Sequence, residues 1–462
     1  MQRILAITWL TWKAAFRFRL FLVIAVLLLA AVIGLPLLIE DDGTARGFTQ
    51  ILLTYTLTTI TALLGLSTLW LACGTLARDI EECQIQVVAT KPIARWQIWL
   101  GKWLGIMSLN AVLLALSGGC VYGLLEYRAS KLPAAVQKEL REQVLVARGS
   151  AKEADLSAEI DADAKQILQE RLKNNPVTTA DLPEVQRQIR EQVKAGYQVV
   201  QPGYSRMWQI NLGFAKNYLK DKPLQLRVKF NAAEKSPSGT FYALWQVGVP
   251  ETAKFWRTET PMSLSPDSVH EFQVPANLFD TNGVLTIVFV NANSTSLLFP
   301  LEDGMEVLYP EGGFALNFAR GLGIIFCWMA LIAALGLMAA SFLSFHVATF
   351  FSLAMLLVVM SSGTLSDAIE SGTIAGGNEE TGVMGHSGAD MFLIPMFKGI
   401  LHVVKLVQGF SPIDALSSGR AISWGDLGLA FAQIVVLLGG SIALAGIVMF
   451  GRRELATAQG TQ

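Results

Sequence analysis

From residue 20 to residue 39 the chain runs for 20 residues without a charge, enough as a helix to cross about 30 Å of hydrocarbon. Similar uncharged runs recur at 51–77, 103–125, 321–345, 347–365 and 427–451. A bilayer core offers backbone N–H and C=O groups no water, so such runs can cross only as self-satisfied helices. Six transmembrane helices are therefore the first expectation for this chain.

The remaining charge is concentrated. Residues 128–314 carry 21 of the 36 Lys/Arg and 22 of the 37 Asp/Glu, so a water-facing part separates from the apolar part. Overall 16% of the 462 residues are charged, against about 25% in a soluble protein. A net charge of −1 argues against a nucleic-acid binder, which needs clustered positive charge. Cys73, Cys83, Cys120 and Cys327 lie in or beside apolar runs with neither zinc spacing nor a disulfide framework. They read as small packing residues. The first apolar run is too long for a cleaved signal and lacks a small-residue cleavage site after it.

Basic residues give an orientation. Arg3, Lys13, Arg17 and Arg19 precede the first run, Arg78, Lys91, Arg95 and Lys102 lie between the second and third, and Arg452 and Arg453 follow the last. The 40–50 loop is acidic, with Arg46 alone against Glu40, Asp41 and Asp42. The positive-inside rule then places both termini and the 77–102 loop in the cytoplasm, and 126–316 and 366–425 outside. Residues 1–19 carry Leu5, Trp9, Trp12 and Phe16 on one helical face and predict an interfacial amphipathic helix. The 77–102 loop, dense in charge and in helix formers, predicts a helix on the membrane surface that a cytoplasmic partner could grip.

The outside region has two textures. Residues 130–197 are rich in Ala, Glu, Gln, Lys and Leu, with breaks at Gly149-Ser150, Asn174-Asn175-Pro176 and Pro183, and predict about three helices. From about residue 199 the pattern alternates, as in Leu224, Leu226, Val228 and Phe230, then 241–247, then 284–290. That predicts an antiparallel β-sandwich. The expected fold is a polytopic α-helical membrane protein with six transmembrane helices plus an extracytoplasmic α+β domain, a helical part followed by an antiparallel β-sandwich. Its divisions are 1–126 (amphipathic helix and spans 1–3), 127–198 (outer helices), 199–315 (sandwich) and 316–462 (spans 4–6). Residues 391–413, apolar but carrying Pro395, Lys398, His402 and Lys405, predict a re-entrant segment.

No phosphate loop G-x-x-x-x-G-K-[ST], H-E-x-x-H or G-x-S-x-G occurs. Leu116-Ser117-Gly118-Gly119-Cys120 imitates part of an ATPase signature, but it sits inside an uncharged run where glycines suit close helix packing. The spans hold almost only Thr, Ser and Asn110 as polar groups, without the buried ionisable sites of an ion-coupled carrier. Thr54, Thr58, Thr61 and Thr68 fall on one face of the second run. Either they form a polar stripe toward a lumen or dimer interface, or each hydroxyl bonds its own i−4 carbonyl. Trp208, Tyr242, Trp245 and Trp256 could stack on a glycan or fill the sandwich core.

Ile80-Glu81-Glu82, Lys91-Pro92-Ile93-Ala94-Arg95 and Leu100-Gly101-Lys102 together resemble the cytoplasmic loop of ABC-2-type permeases. Phe450-Gly451-Arg452-Arg453-Glu454-Leu455 is similar to that family's ending, and the 391–412 segment to its re-entrant element. The resemblance covers about 270 of the 462 residues; the long insertion between spans three and four departs from it. It implies a bacterial inner-membrane permease subunit that pairs with a second permease copy or paralogue and two separate ABC ATPase subunits. ATP and Mg would sit on those partners, with no cofactor, metal or catalytic residue in this chain. The loop helix would lie in a cleft of the ATPase, and Arg78, Asp79, Glu81, Glu82, Lys91 and Arg95 would couple its stroke to the spans. The remaining expected partners are the lipid bilayer and an outer protein or glycan, and no nucleic acid. The outer domain keeps a second reading open, ATP-driven mechanical signalling or assembly without solute transport.

Overall fold

The computed structural model describes residues 2–17, 20–38, 44–85, 93–174, 182–248, 254–361, 366, 369 and 390–453. It divides into two compact units, Met1–Ala147 with Gly312–Gln462, and Arg148–Glu311. The chain leaves the first unit at residue 147 rather than 126, because the third apolar helix runs on to Ala129 and a further short helix stays with it.

The first unit is helical: α1 (Gln2–Arg17), α2 (Leu20–Leu38), α3 (Ala45–Glu81), α4 (Arg95–Ala129) and α5 (Ala134–Gln143). The helices of 157–174 and 182–198 (α6 and α7) belong to the second unit. The first resumes with α8 (Phe314–Ala340), α9 (Phe345–Met360), α10 (Asp390–Gln408), α11 (Pro412–Ser417) and α12 (Trp424–Arg452), whose stretch Phe431–Gly439 is π-helical. Several of these helices are long and apolar enough to cross a membrane. Among the described residues five meet that measure: Gly47–Glu81, Arg95–Ala129, Phe314–Ala340, Phe392–Ser417 and Trp424–Arg452. Val23–Leu35 and Phe345–Met360 are shorter apolar helices. The stretch expected to re-enter therefore has the length and mean hydropathy, 1.3, of a crossing segment.

Small residues let α3, α4 and α8 approach closely, the way helices associate where lipid removes the hydrophobic drive. A Cβ at Gly336 would lie 2.7 Å from Ala72 Cβ. The Trp103 indole of α4 donates to the Ala330 carbonyl of α8 at 3.2 Å. Asn317 clamps the chain after α11 from both sides, donating to the Arg420 carbonyl and accepting from Ile422 N–H, each at 2.7 Å.

Helix α1 lies on the start of α4. Ile7 and Thr11 fill notches at Gly101 and Gly105, where an added Cβ would come within 2.7 and 2.6 Å of their Cβ atoms. Thr8 donates to the Gly101 carbonyl at 3.1 Å and Trp12 to Ser108 Oγ at 2.7 Å. Trp12 is thus turned to α4, while Leu5, Trp9 and Phe16 stay exposed. Gly105→Val should cost about 1–3 kcal/mol by overpacking. It should also expose α1 to protease in detergent while Gly119→Val, which meets open space, does not.

The second unit pairs two antiparallel-rich sheets over one core. One sheet has the order β1 (Val146–Ala151), β12 (Met305–Gly313), β4 (Leu224–Lys229), β9 (Val269–Val274). The other has the order β3 (Ser205–Asn211), β10 (Val284–Val290), β6 (Phe241–Gly248), β7 (Phe255–Arg257), with β8 (Met262–Leu264) on β6. A third small sheet joins β2 (Val199–Val200), β11 (Leu297–Leu298) and β5 (Asn231–Ala232), with β11 central. Alternation decides which side chains turn inward. Leu224, Leu226 and Val228 meet Trp208, Ile210, Trp245, Ile287 and Phe289 in one buried cluster. Helices α6 (Ser157–Asn174) and α7 (Leu182–Gln198) pack on each other through Ala164, Leu168 and Ile189, with Arg190 on Asp161 at 2.7 Å.

Candidate functional site

The charged stretch between the second and third apolar runs resolves differently from a free-standing loop. Helix α3 does not stop where charge begins but continues through Arg78, Asp79 and Glu81, ending at the cap residue Glu82. Cys83 follows at φ 55°, the left-handed conformation that ends a helix by returning its N–H to an earlier carbonyl. Here that bond runs to Ile80 O at 3.2 Å. Arg95 is the first residue of α4. Lys91, and the body of the expected surface helix, lie outside the described residues.

Three charged side chains around this gap, Arg78, Glu81 and Arg95, are aimed at a helix end. The Glu81 carboxylate accepts the Phe345 N–H at 2.8 Å, supplying one of the partners that the first turn of α9 lacks. The Arg78 guanidinium sits 4.2 Å over the Phe345 ring, whose other side meets Trp70 edge-on at 5.3 Å. Arg95 donates through one nitrogen to the carbonyls of Phe450, Gly451 and Arg453 at 2.9, 2.7 and 2.8 Å, closing the C-terminus of α12. Cations belong there, where the helix dipole and the last open carbonyls are negative. Arg453 in turn donates to the Ser341 carbonyl at the end of α8, at 3.2 Å.

Beneath these lies a buried pair. Lys102, about two turns into α4, is 6% exposed; its ammonium donates to Asp79 Oδ2 and to the Thr75 carbonyl, both at 2.5 Å. Thus Arg78, Asp79, Glu81 and Arg95, together with Lys102 and Arg453, form a brace that joins the ends of α3, α4, α8, α9 and α12. Glu82 stands outside it, exposed and, among the described residues, bonded through its side chain to Gln84 alone. Lys102 and Arg453 stand out in the sequence as cations flanking apolar runs, but not as members of the brace. The available signal was Lys102 standing well inside the turn pattern of an otherwise apolar helix.

The threonine stripe does not form one environment. Thr54 bonds the Gln50 carbonyl at 2.9 Å and Thr68 the Leu64 carbonyl at 2.6 Å, each the i−4 bond open to any helical threonine. Thr68 also accepts from Asn110 of α4 at 2.8 Å and is buried, whereas Thr58 is exposed. The Thr61 hydroxyl is buried without a partner among the described residues. In the second unit Trp208 and Trp245 are core residues, ringed by Phe289 and Phe299. Tyr242 alone of the four aromatics is exposed. Among the described residues no cluster of His, Cys, Asp or Glu could hold a metal. Set beside protein-family models, curated proteins and solved structures, the chain matches none of them.

Proposed function

We propose that the chain is the membrane subunit of an ATP-driven ABC transporter of the ABC-2 type, worked by a separate ATPase. The observation that carries this reading is the brace. A force applied to the segment between Glu82 and Ala94 would reach five helix ends at once through Arg78, Asp79, Glu81 and Arg95 with Lys102 and Arg453. Buried side chains in close packing move as bodies rather than yield locally, so the push would rock helices. In this reading α2, α3, α4, α8, α9 and α12 make six spans, residues 391–413 re-enter, and both termini lie in the cytoplasm. Residues 148–311 then face outward. ATP and Mg sit on the partner, and a second permease copy or paralogue completes the path.

The exposed Glu82 and the cation Lys91 are the contacts offered to the ATPase; the other four residues transmit. Isolation of the tagged chain from native membranes should bring down a subunit with a phosphate loop. Glu82→Lys should weaken that association about tenfold, the scale of one lost interfacial charge contact, and leave the brace intact. Failure to recover any ATPase overturns the proposal. A second reading, mechanical signalling or assembly without solute transport, draws on the dense, nearly charge-free packing of α3, α4 and α8. Solute flux in liposomes holding the purified complex separates the two.

A further inference from the structure

A cavity of about 810 Å³ opens between α1, the end of α3 and the start of α4, within the usual range of about 300–1,000 Å³ for ligand pockets. Half of its lining residues are apolar, including Ile7 and Leu10 of α1 and Ile98 of α4. Three cations, Arg3, Lys13 and Lys102, line it against the single carboxylate of Asp79. Lys102 is the deep one. An ammonium carries three N–H donors; Thr75 and Asp79 take two, and no described residue takes the third. Arg3 and Lys13 stand ten residues apart on α1, about 15 Å along its axis, and frame the apolar floor between them.

The neighbouring face of α1 says which medium this cavity meets. Leu5, Trp9 and Phe16 are 64%, 61% and 45% exposed, and Lys13 lies 5.9 Å from the Trp9 ring centroid. An exposed row of Leu, Trp and Phe flanked by basic residues belongs at the headgroup level of a bilayer. A water-soluble anion would gain nothing from the isoleucines, and a zwitterionic lipid, whose ammonium offsets its phosphate, would gain less from three cations than an anionic one.

We propose that this cavity holds one anionic phospholipid. Lys102 donates to its phosphodiester, Arg3 and Lys13 at either end of the cavity favour its net negative charge, and an acyl chain lies along Ile7, Leu10 and Ile98. The occupant wedges α1 against the brace, so the lipid is a structural ligand at the base of α3 and α4. This does not rest on the permease reading.

The full chain, purified in a nonionic detergent, is titrated with phosphatidylglycerol or with phosphatidylcholine of the same acyl chains and weighed by native mass spectrometry. One phosphatidylglycerol per chain should be retained at about tenfold lower concentration than phosphatidylcholine, and glycerol 3-phosphate should not displace it. Arg3→Gln/Lys13→Gln should remove that preference, and Lys13→Gln, at an exposed position, about half of it on a logarithmic scale. Equal retention of both lipids, a preference that survives the double substitution, or displacement by glycerol 3-phosphate overturns the proposal.

Discussion

Asp79→Ala should destabilise the helical unit by about 3 kcal/mol, measured as denaturant or thermal unfolding in detergent, while Lys102→Met costs distinctly less. The asymmetry follows from burial. The Lys102 side chain is 8% exposed and that of Asp79 34%, so deleting the carboxylate strands an ammonium out of water. Deleting the ammonium leaves a carboxylate that water can still reach. Breaking a buried pair from one side costs about 3–5 kcal/mol, and the lower end applies because Asp79 is partly solvated. Removing both charges together should be close to neutral, since a well-packed apolar pair often replaces a buried ion pair without loss. Asp79→Leu/Lys102→Met should therefore recover most of the stability that Asp79→Ala loses. Additive losses would mean that the two side chains do not act as a pair.

The second large effect lies in the unit of residues 148–311. Glu271→Ala should cost about 3–5 kcal/mol and open the region between residues 148 and 311 to protease. On the face of the first sheet turned from the core, Arg148 of β1 pairs with Glu271 of β9 at 3.0 Å, with side chains 2% and 5% exposed. Arg227 of β4 lies 3.8 Å from both Glu271 and Glu306, and Ser150 bonds Glu306. The register places Arg227 directly opposite Glu271 on one side and Glu306 on the other, so the charges alternate in sign across three strands. Loss of Glu271 would leave two guanidinium groups crowded and under-compensated. Glu271→Gln, which keeps the shape and an acceptor, should cost less than half as much. Equal losses for the two substitutions would assign the effect to packing rather than charge.

Sequence patterning reached the elements whose environment is uniform along their length. Uncharged runs became α2, α3, α4, α8, α9 and α12, because a helix in an apolar medium needs no more than length and apolarity. The period of two at 224–230, 241–247 and 284–290 became β4, β6 and β10 for the same reason. Patterning did less well where one element passes between environments. Helix α3 carries its charges as a continuation, so Arg78, Asp79 and Glu81 belong to the end of a long helix and not to a separate loop. Strand β1 sits in a stretch of helical composition; Val146 to Ala151 holds six residues with no long β-branched run, and its partner strand lies more than 150 residues later.

For the brace, sequence supplied the actors and not their partners. Five of the bonds that define it end on backbone groups, at Phe345, Phe450, Gly451, Arg453 and Ser341. A backbone acceptor leaves no compositional trace, so no charge pattern could point to it. The threonines show the opposite failure. Their spacing put them on one ideal face, yet neighbouring helices cover Thr68 and leave Thr58 open, which spacing within a single helix cannot reveal.

The central claim is that Arg95 and its neighbours carry force from an ATPase into the helices. ATP turnover by the purified complex in liposomes, with wild type and Arg95→Ala compared at equal ATPase content, tests it most directly. Arg95→Ala removes three bonds to the end of α12 without touching the exposed Glu82. The ATPase should therefore still co-purify, while the stimulation of turnover by the membrane subunit falls at least about tenfold, the equivalent of about 1.4 kcal/mol of lost coupling. Unchanged turnover in Arg95→Ala, with the ATPase bound, would contradict the account.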